Sequence, residues 1–95
     1  GPVEIVSRLA GLQGWVLGGD GDEAAIEKTF RFGDFKDTMA FVNAVAWIAH
    51  QGNHHPDLSV HYNRCVVRYR THDAGGISLL DFEHAARVDA LLAPE

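Results

Sequence analysis

At Asp34 the apolar residues of this chain change their spacing, and that change limits what it can fold into. Before it, Ile26, Lys28, Phe30 and Phe32 alternate with Glu27, Thr29 and Arg31, the period of a half-buried strand. After it, Phe35, Met39, Val42, Val45-Ala46 and Ala49 recur every three or four residues, the period of a helix. Asp34 offers an N-cap side chain and Gly52-Asn53 a left-handed stop, and Pro56 forbids continuation. A strand therefore hands over to a long helix within two residues.

The remaining segments extend this reading. Ile5, Val6, Leu9 and Leu12 stand at helical spacing between Val3 and Leu12, with Gly11 and Gly14 closing the segment. Trp15-Val16-Leu17 reads as a short strand, joined to the Ile26–Phe32 strand by the turn Gly18-Gly19-Asp20-Gly21-Asp22. Leu58–Tyr62 and Arg64–Thr71 read as a second strand pair, followed by the glycine turn Asp73-Ala74-Gly75-Gly76. Ser78-Leu79-Leu80-Asp81 resembles a capping box with Asp in the N3 place, opening a helix predicted to bury Phe82, Ala85-Ala86 and Leu92. The order α-β-β-α-β-β-α predicts an α+β fold: one four-stranded antiparallel sheet with helices on a single face. Residues 1–95 form one domain, and Gly1-Pro2 read as a remnant of tag removal without functional weight.

Composition narrows the function classes. Thirteen acidic against eight basic residues give a net charge of −5, which argues against a general nucleic-acid binder. The sequence holds no 18-residue apolar stretch and no charged-then-apolar leader, so the expectation is neither a membrane span nor a signal peptide, and a cytoplasmic setting. Cys65 is the single cysteine, which excludes an internal disulfide and any multi-cysteine metal site; mid-strand, it reads as a small core residue. A chain of 95 residues buries only about 60–65% of its unfolded surface, so self-association is a natural supplement.

The chemistry concentrates in histidine. Of six, His50, His54, His55 and His61 share a 12-residue window, His72 follows the next strand, and His84 sits on the last helix. The helix stop leaves His54-His55-Pro56 on a loop where Pro56 restricts His55 to extended geometry. Imidazoles titrate near neutrality, so a constrained pair facing a second histidine-bearing turn suits proton transfer. Taken singly, His50, His61 and His84 each read as surface or packing residues, with His84 on the polar side of its helix. A histidine-rich tract can also hold zinc, but His-His-Pro lacks the i, i+4 spacing of helical zinc motifs and no cysteine accompanies it. Gly19-x-Gly21 joins two strands and is not a phosphate loop. Asp81 fits a helix cap or a site equally well. Arg64, Arg68 and Arg70 alternate along one strand, a solvated face or a seat for an anionic partner.

These residues resemble a known family. His50-x-x-x-His54-His55-Pro56, five residues to Tyr62, nine to His72 and eight to Asp81 is similar to the signature of the pterin-4a-carbinolamine dehydratases. Gly14-Trp15, Phe30-Arg31-Phe32-Gly33-Asp34-Phe35 and the run Thr71 to Ser78 resemble the family pattern too, so the likeness spans nearly the whole chain. It implies the same α+β fold and the dehydration of 4a-hydroxytetrahydropterin to quinonoid dihydropterin, in the recycling of tetrahydrobiopterin-type cofactors after aromatic hydroxylation. It implies His54, His55 and His72 as catalytic residues. It also implies Asp57, Asp73, His50 and Tyr62 as substrate contacts, a homodimer or homotetramer, and no metal or organic cofactor. Two positions depart from the pattern: His50 stands where an acidic residue is common, and Leu58 where an aromatic one is. Relatives that act as a transcriptional cofactor or an assembly factor make a protein–protein adaptor on the same fold the alternative.

Overall fold

The computed structural model describes residues 2–19, 21–71 and 75–93. Its elements are α1 (Pro2–Ala10), β1 (Val16–Gly18), a single 3-10 turn (Gly21–Glu23), β2 (Ala25–Arg31), α2 (Phe35–Gly52), β3 (Asp57–His61), β4 (Arg64–Tyr69) and α3 (Leu79–Ala90). The order is the expected α-β-β-α-β-β-α. The four strands form one antiparallel sheet in the order β1-β2-β4-β3. Two hairpins are thus laid side by side, with β2 and β4 at the centre.

Alternation along β4 sets the layers. Cys65, Val67 and Tyr69 are buried, while Arg64, Val66 and Arg68 between them stay half-buried on the opposite face. Register places Phe30 of β2 beside Cys65 and Ile26 beside Tyr69, so both central strands turn their apolar side to the same layer. There α2 supplies Phe41, Val45 and Ile48, and α3 supplies Phe82, Ala85 and Val88. Trp15, just before β1, closes the core with its ring edge against Phe30 at 6.1 Å. Burial raises the Cys65 thiol pKa, in keeping with a core residue.

The turn between β1 and β2 needs its glycine. Gly19 has φ of 72°, and a Cβ there would overlap the Glu23 carbonyl.

Two helix faces differ from the sequence reading. On α2 the buried stripe is Thr38, Phe41, Val45 and Ile48, whereas Phe35 is half exposed and Met39 and Val42 lie on the flank. The stripe is rotated because Thr38 is drawn inward: its hydroxyl donates toward Asp34 O at 2.8 Å and Tyr62 O at 3.0 Å. Ala86 of α3 is exposed, the helix ends at Ala90 before Leu92, which is exposed too, and His84, expected on the polar side, is buried at 1% exposure. Asp81, His84-Ala85 and Val88 are spaced i, i+3/4, i+7, so a helix that buries Asp81 buries His84 with it. Asp89 ties the far end of this helix to the first hairpin, accepting from Trp15 Nε1 at 3.0 Å and Lys28 Nζ at 2.9 Å.

Candidate active site

The site begins where α2 stops. Asn53 adopts a left-handed conformation (φ 49°), its N–H returns to His50 O, and the N–H of His54 returns to Ala49 O at 3.1 Å. This Schellman-type closure holds the backbone of His54 against the helix end. Pro56 then favours extended geometry at His55, and β3 starts at Asp57. His54 therefore leaves the helix with its direction set by two backbone hydrogen bonds, not by loop conformation.

The partner arrives from the start of α3. Asp81 occupies the third helical position, and its Oδ2 accepts from the Ser78 N–H at 2.9 Å, the carboxylate half of a capping box. The same oxygen accepts from Thr71 Oγ1 at 3.0 Å, and Oδ1 lies 2.6 Å from His54 Nε2. Thr71 Oγ1 is also 2.6 Å from Ser78 Oγ. Each hydroxyl has one proton; since Thr71 gives its own to Asp81, Ser78 donates to Thr71. Thr71 is fixed further by a two-way backbone bridge to Gly76.

Proton counting also assigns the histidine. An ionised carboxylate only accepts, so the nitrogen facing Asp81 carries hydrogen and His54 is an Nε2–H tautomer when neutral. Nδ1 makes no hydrogen bond to a described residue and is the nitrogen that can take and return a proton. The carboxylate is fully buried and the His54 side chain is 10% exposed, so the pair is held out of water with one edge open.

Aromatic rings wall the pair. Tyr69 stacks near-parallel on His54 at 5.6 Å, His84 meets it edge-on at 5.1 Å, and Tyr69 and His84 are 5.7 Å apart. Burial raises the pKa of the Tyr69 hydroxyl, helped by the Asp81 charge. Burial lowers that of His84, helped by His54 and Arg87. Both side chains thus stay neutral beside the His54–Asp81 hydrogen bond.

The histidine loop therefore meets the capping aspartate, 27 residues later in the chain. Of the other expected site residues, His55 is exposed next to it. His50 lies exposed in the last turn of α2, its ring 5.8 Å from Trp47. Asp57 opens β3 opposite Arg68. Tyr62 is not brought in: its carbonyl is bound by Thr38 in the first turns of α2, roughly 20 Å along that helix from His54. His61 is paired with Ser59 at 3.0 Å. His72 and Asp73 lie outside the described residues. Sequence reasoning misses Tyr69, Thr71 and His84 as site residues. Period two from Cys65 turns Tyr69 inward, and the i, i+3 spacing from Asp81 places His84 on the same face, so both had a signal. Among the described residues, no three His, Cys, Asp or Glu side chains are grouped to hold a metal ion. No helix among them is long and apolar enough to cross a membrane.

An imidazole with one nitrogen fixed on a buried carboxylate and the other open is suited to general acid–base work, because the carboxylate orients the ring and stabilises the imidazolium. The profile of the pterin 4 alpha carbinolamine dehydratase family matches residues 2–91. A Paracidovorax citrulli protein bearing the pterin-4-alpha-carbinolamine dehydratase name is 66% identical over 92 residues, 97% of this chain and 79% of its own. One from Stenotrophomonas maltophilia is 53% identical over 91 residues, 96% of this chain and 77% of its own. A crystal structure described as a transcriptional coactivator/pterin dehydratase from Brucella melitensis superposes with a TM-score of 0.90 at 30% identity, covering 98% of this chain and 97% of that one. A carboxysome protein described as a pterin dehydratase-like RuBisCO assembly factor shares the fold, with a TM-score of 0.73 at 24% identity, over 87% of this chain and 94% of its own. With the signature residues in place and the profile matching almost end to end, this chain belongs to the pterin 4 alpha carbinolamine dehydratase family.

Proposed function

We propose that the protein dehydrates 4a-hydroxytetrahydropterins to quinonoid dihydropterins, with His54 moving the proton and Asp81 orienting it. The C4a–O bond breaks as an acid protonates the leaving oxygen, a base takes the ring N–H proton, and water departs as the C=N bond forms. The substrate's own ring nitrogens stabilise the developing cation, so the protein needs to supply proton transfer and position. The observation that supports this most is the 2.6 Å contact of His54 Nε2 with buried Asp81, which leaves Nδ1 open.

His72 and His55 complete the catalytic set in this reading. His72 directly follows Thr71, whose hydroxyl is bonded to Asp81. Asp57, Asp73 and His50 are assigned to the pterin's polar edge; Tyr62, at the far end of β3, is not used. The reaction as drawn requires no metal or organic cofactor. Stopped-flow decay of a 4a-hydroxytetrahydropterin in the presence of the protein tests the proposal, and a rate well above that of buffer is expected.

One observation favours a second reading. Trp47 is 61% exposed on α2, with Phe35, Leu91 and Leu92 also open to solvent, so an adaptor that offers this helix to a protein partner is the alternative. A folded sample that leaves the decay at the buffer rate would select it.

A further inference from the structure

Three polar atoms beneath His54 have no partner among the described residues: the Tyr69 hydroxyl and both ring nitrogens of His84. Tyr69 is fully buried and His84 is 1% exposed, so water does not bathe them from outside. Buried polar groups are normally bonded, and each one left alone costs about 1–3 kcal/mol. An apolar side chain of similar volume would avoid that cost. Such violations of packing rules concentrate at functional sites.

The position is also tightly made. The His84 ring lies on the last turn of α2, where a Cβ at Gly52 would overlap its Cε1 and Nε2. Gly52 is helical, and its lack of a side chain is what admits the ring. Two segments 32 residues apart are thus fitted around an imidazole whose nitrogens bond to nothing described. Its ring faces His54 edge-on at 5.1 Å.

Resting on the reading of His54 as the proton-transfer group, we propose that His84 is a positioning residue of the site: with Tyr69 it supplies neutral, reorientable dipoles against His54 that let this ring carry a proton out of water. A charge moved into a pocket this dry needs polar surroundings as well as its counter-ion. Asp81 supplies the counter-ion on one side. A tautomer shift of the His84 imidazole and rotation of the Tyr69 O–H hydrogen, with both rings held in place, can present lone pairs toward the charged ring on the others. The other groups that bear on the pocket are Arg87 and Glu83 of α3, with His55 beside His54 and His50 one turn earlier on α2. Arg87 is the cation of this set, its guanidinium 3.2 Å from where a Cβ on Gly52 would stand, and repels a second proton on His84. His84 therefore remains the neutral member.

The test is NMR titration of the His54 ring in the intact protein, its signal assigned with His54→Gln, together with the pH profile of dehydration. In His84→Leu the His54 midpoint is expected to move to lower pH by about one unit, a tenfold loss of proton affinity. The limb of the rate profile governed by His54 should follow it. His84→Gln, which keeps a polar group of similar size, should move it less than half as far. Tyr69→Phe, which removes only one oxygen, gives the same direction should the leucine variant not fold. A midpoint unmoved in the leucine or phenylalanine variant, or moved equally by Leu and Gln, overturns the proposal. The titration does not depend on turnover: a wild type with no dehydratase activity would refute the reading of the reaction and leave the test of His84 standing.

Discussion

His54 Nε2 and Asp81 Oδ1 lie 2.6 Å apart, joining the C-terminal stop of one helix to the first turn of another. Both residues are also structural: one follows the closure of α2 and the other caps α3. Asp81→Asn keeps the shape but presents an amide to three donors. It should lower turnover by roughly 10²–10⁴-fold, the worth of a correctly oriented acid or base. It should also lower stability by about 1–3 kcal/mol, because a buried donor loses its acceptor. Turnover and urea denaturation on the same sample check both.

The pH dependence of stability follows from His84. Its pKa is lowered in the fold from the ordinary 6.5, so on acidification the unfolded chain takes up the proton first. The stability due to the neutral ring is fully present above about pH 6.5. It falls as the pH drops below that value and levels off below the lowered folded value. Urea midpoints at about pH 7.5 and about pH 5.5 should therefore differ in the wild type, and His84→Leu should narrow the difference. An equal difference in both proteins would remove His84 as its source.

Gly52→Ala should destabilise, against the usual helical preference. In an open helix the change gains about 0.5–1 kcal/mol, but here the new methyl overlaps the His84 ring and overpacking costs about 1–3 kcal/mol. His84→Ala in the same chain should relieve the clash, so the double variant should be more stable than the sum of the two single changes predicts. Thermal melts of the four proteins measure this coupling.

Self-association is expected at micromolar concentration. The sheet ends in strands β1 and β3, and Phe35, Trp47 and Leu92 are each at least half exposed. Light scattering should give a mass of a dimer or more, and a monomer near 10.4 kDa would contradict it.

The backbone plan is legible in the sequence because its signals are local. The period change at Asp34, the Asn53 stop and the Ser78-x-x-Asp81 cap each depend on a few neighbouring residues, and all three recur in the structure. The buried faces are less legible. Helical spacing gives a stripe only to within one residue, and the α2 stripe turns on Thr38 reaching the Tyr62 carbonyl across the fold. The site is half legible. His54 stands out by sequence, but its contact with Asp81 depends on how α2 and α3 pack, and no local pattern encodes that. On its chemistry alone His84 reads as a polar-face residue. Its helical phase to Asp81 places it inside.

Single-turnover stopped flow on His54→Ala decides whether His54 transfers the proton. Dehydration should slow by roughly 10²–10⁴-fold in a folded variant, and imidazole in the buffer should recover part of the loss, since the missing group is the proton carrier. A folded His54→Ala protein that dehydrates the carbinolamine at the wild-type rate would contradict the claim.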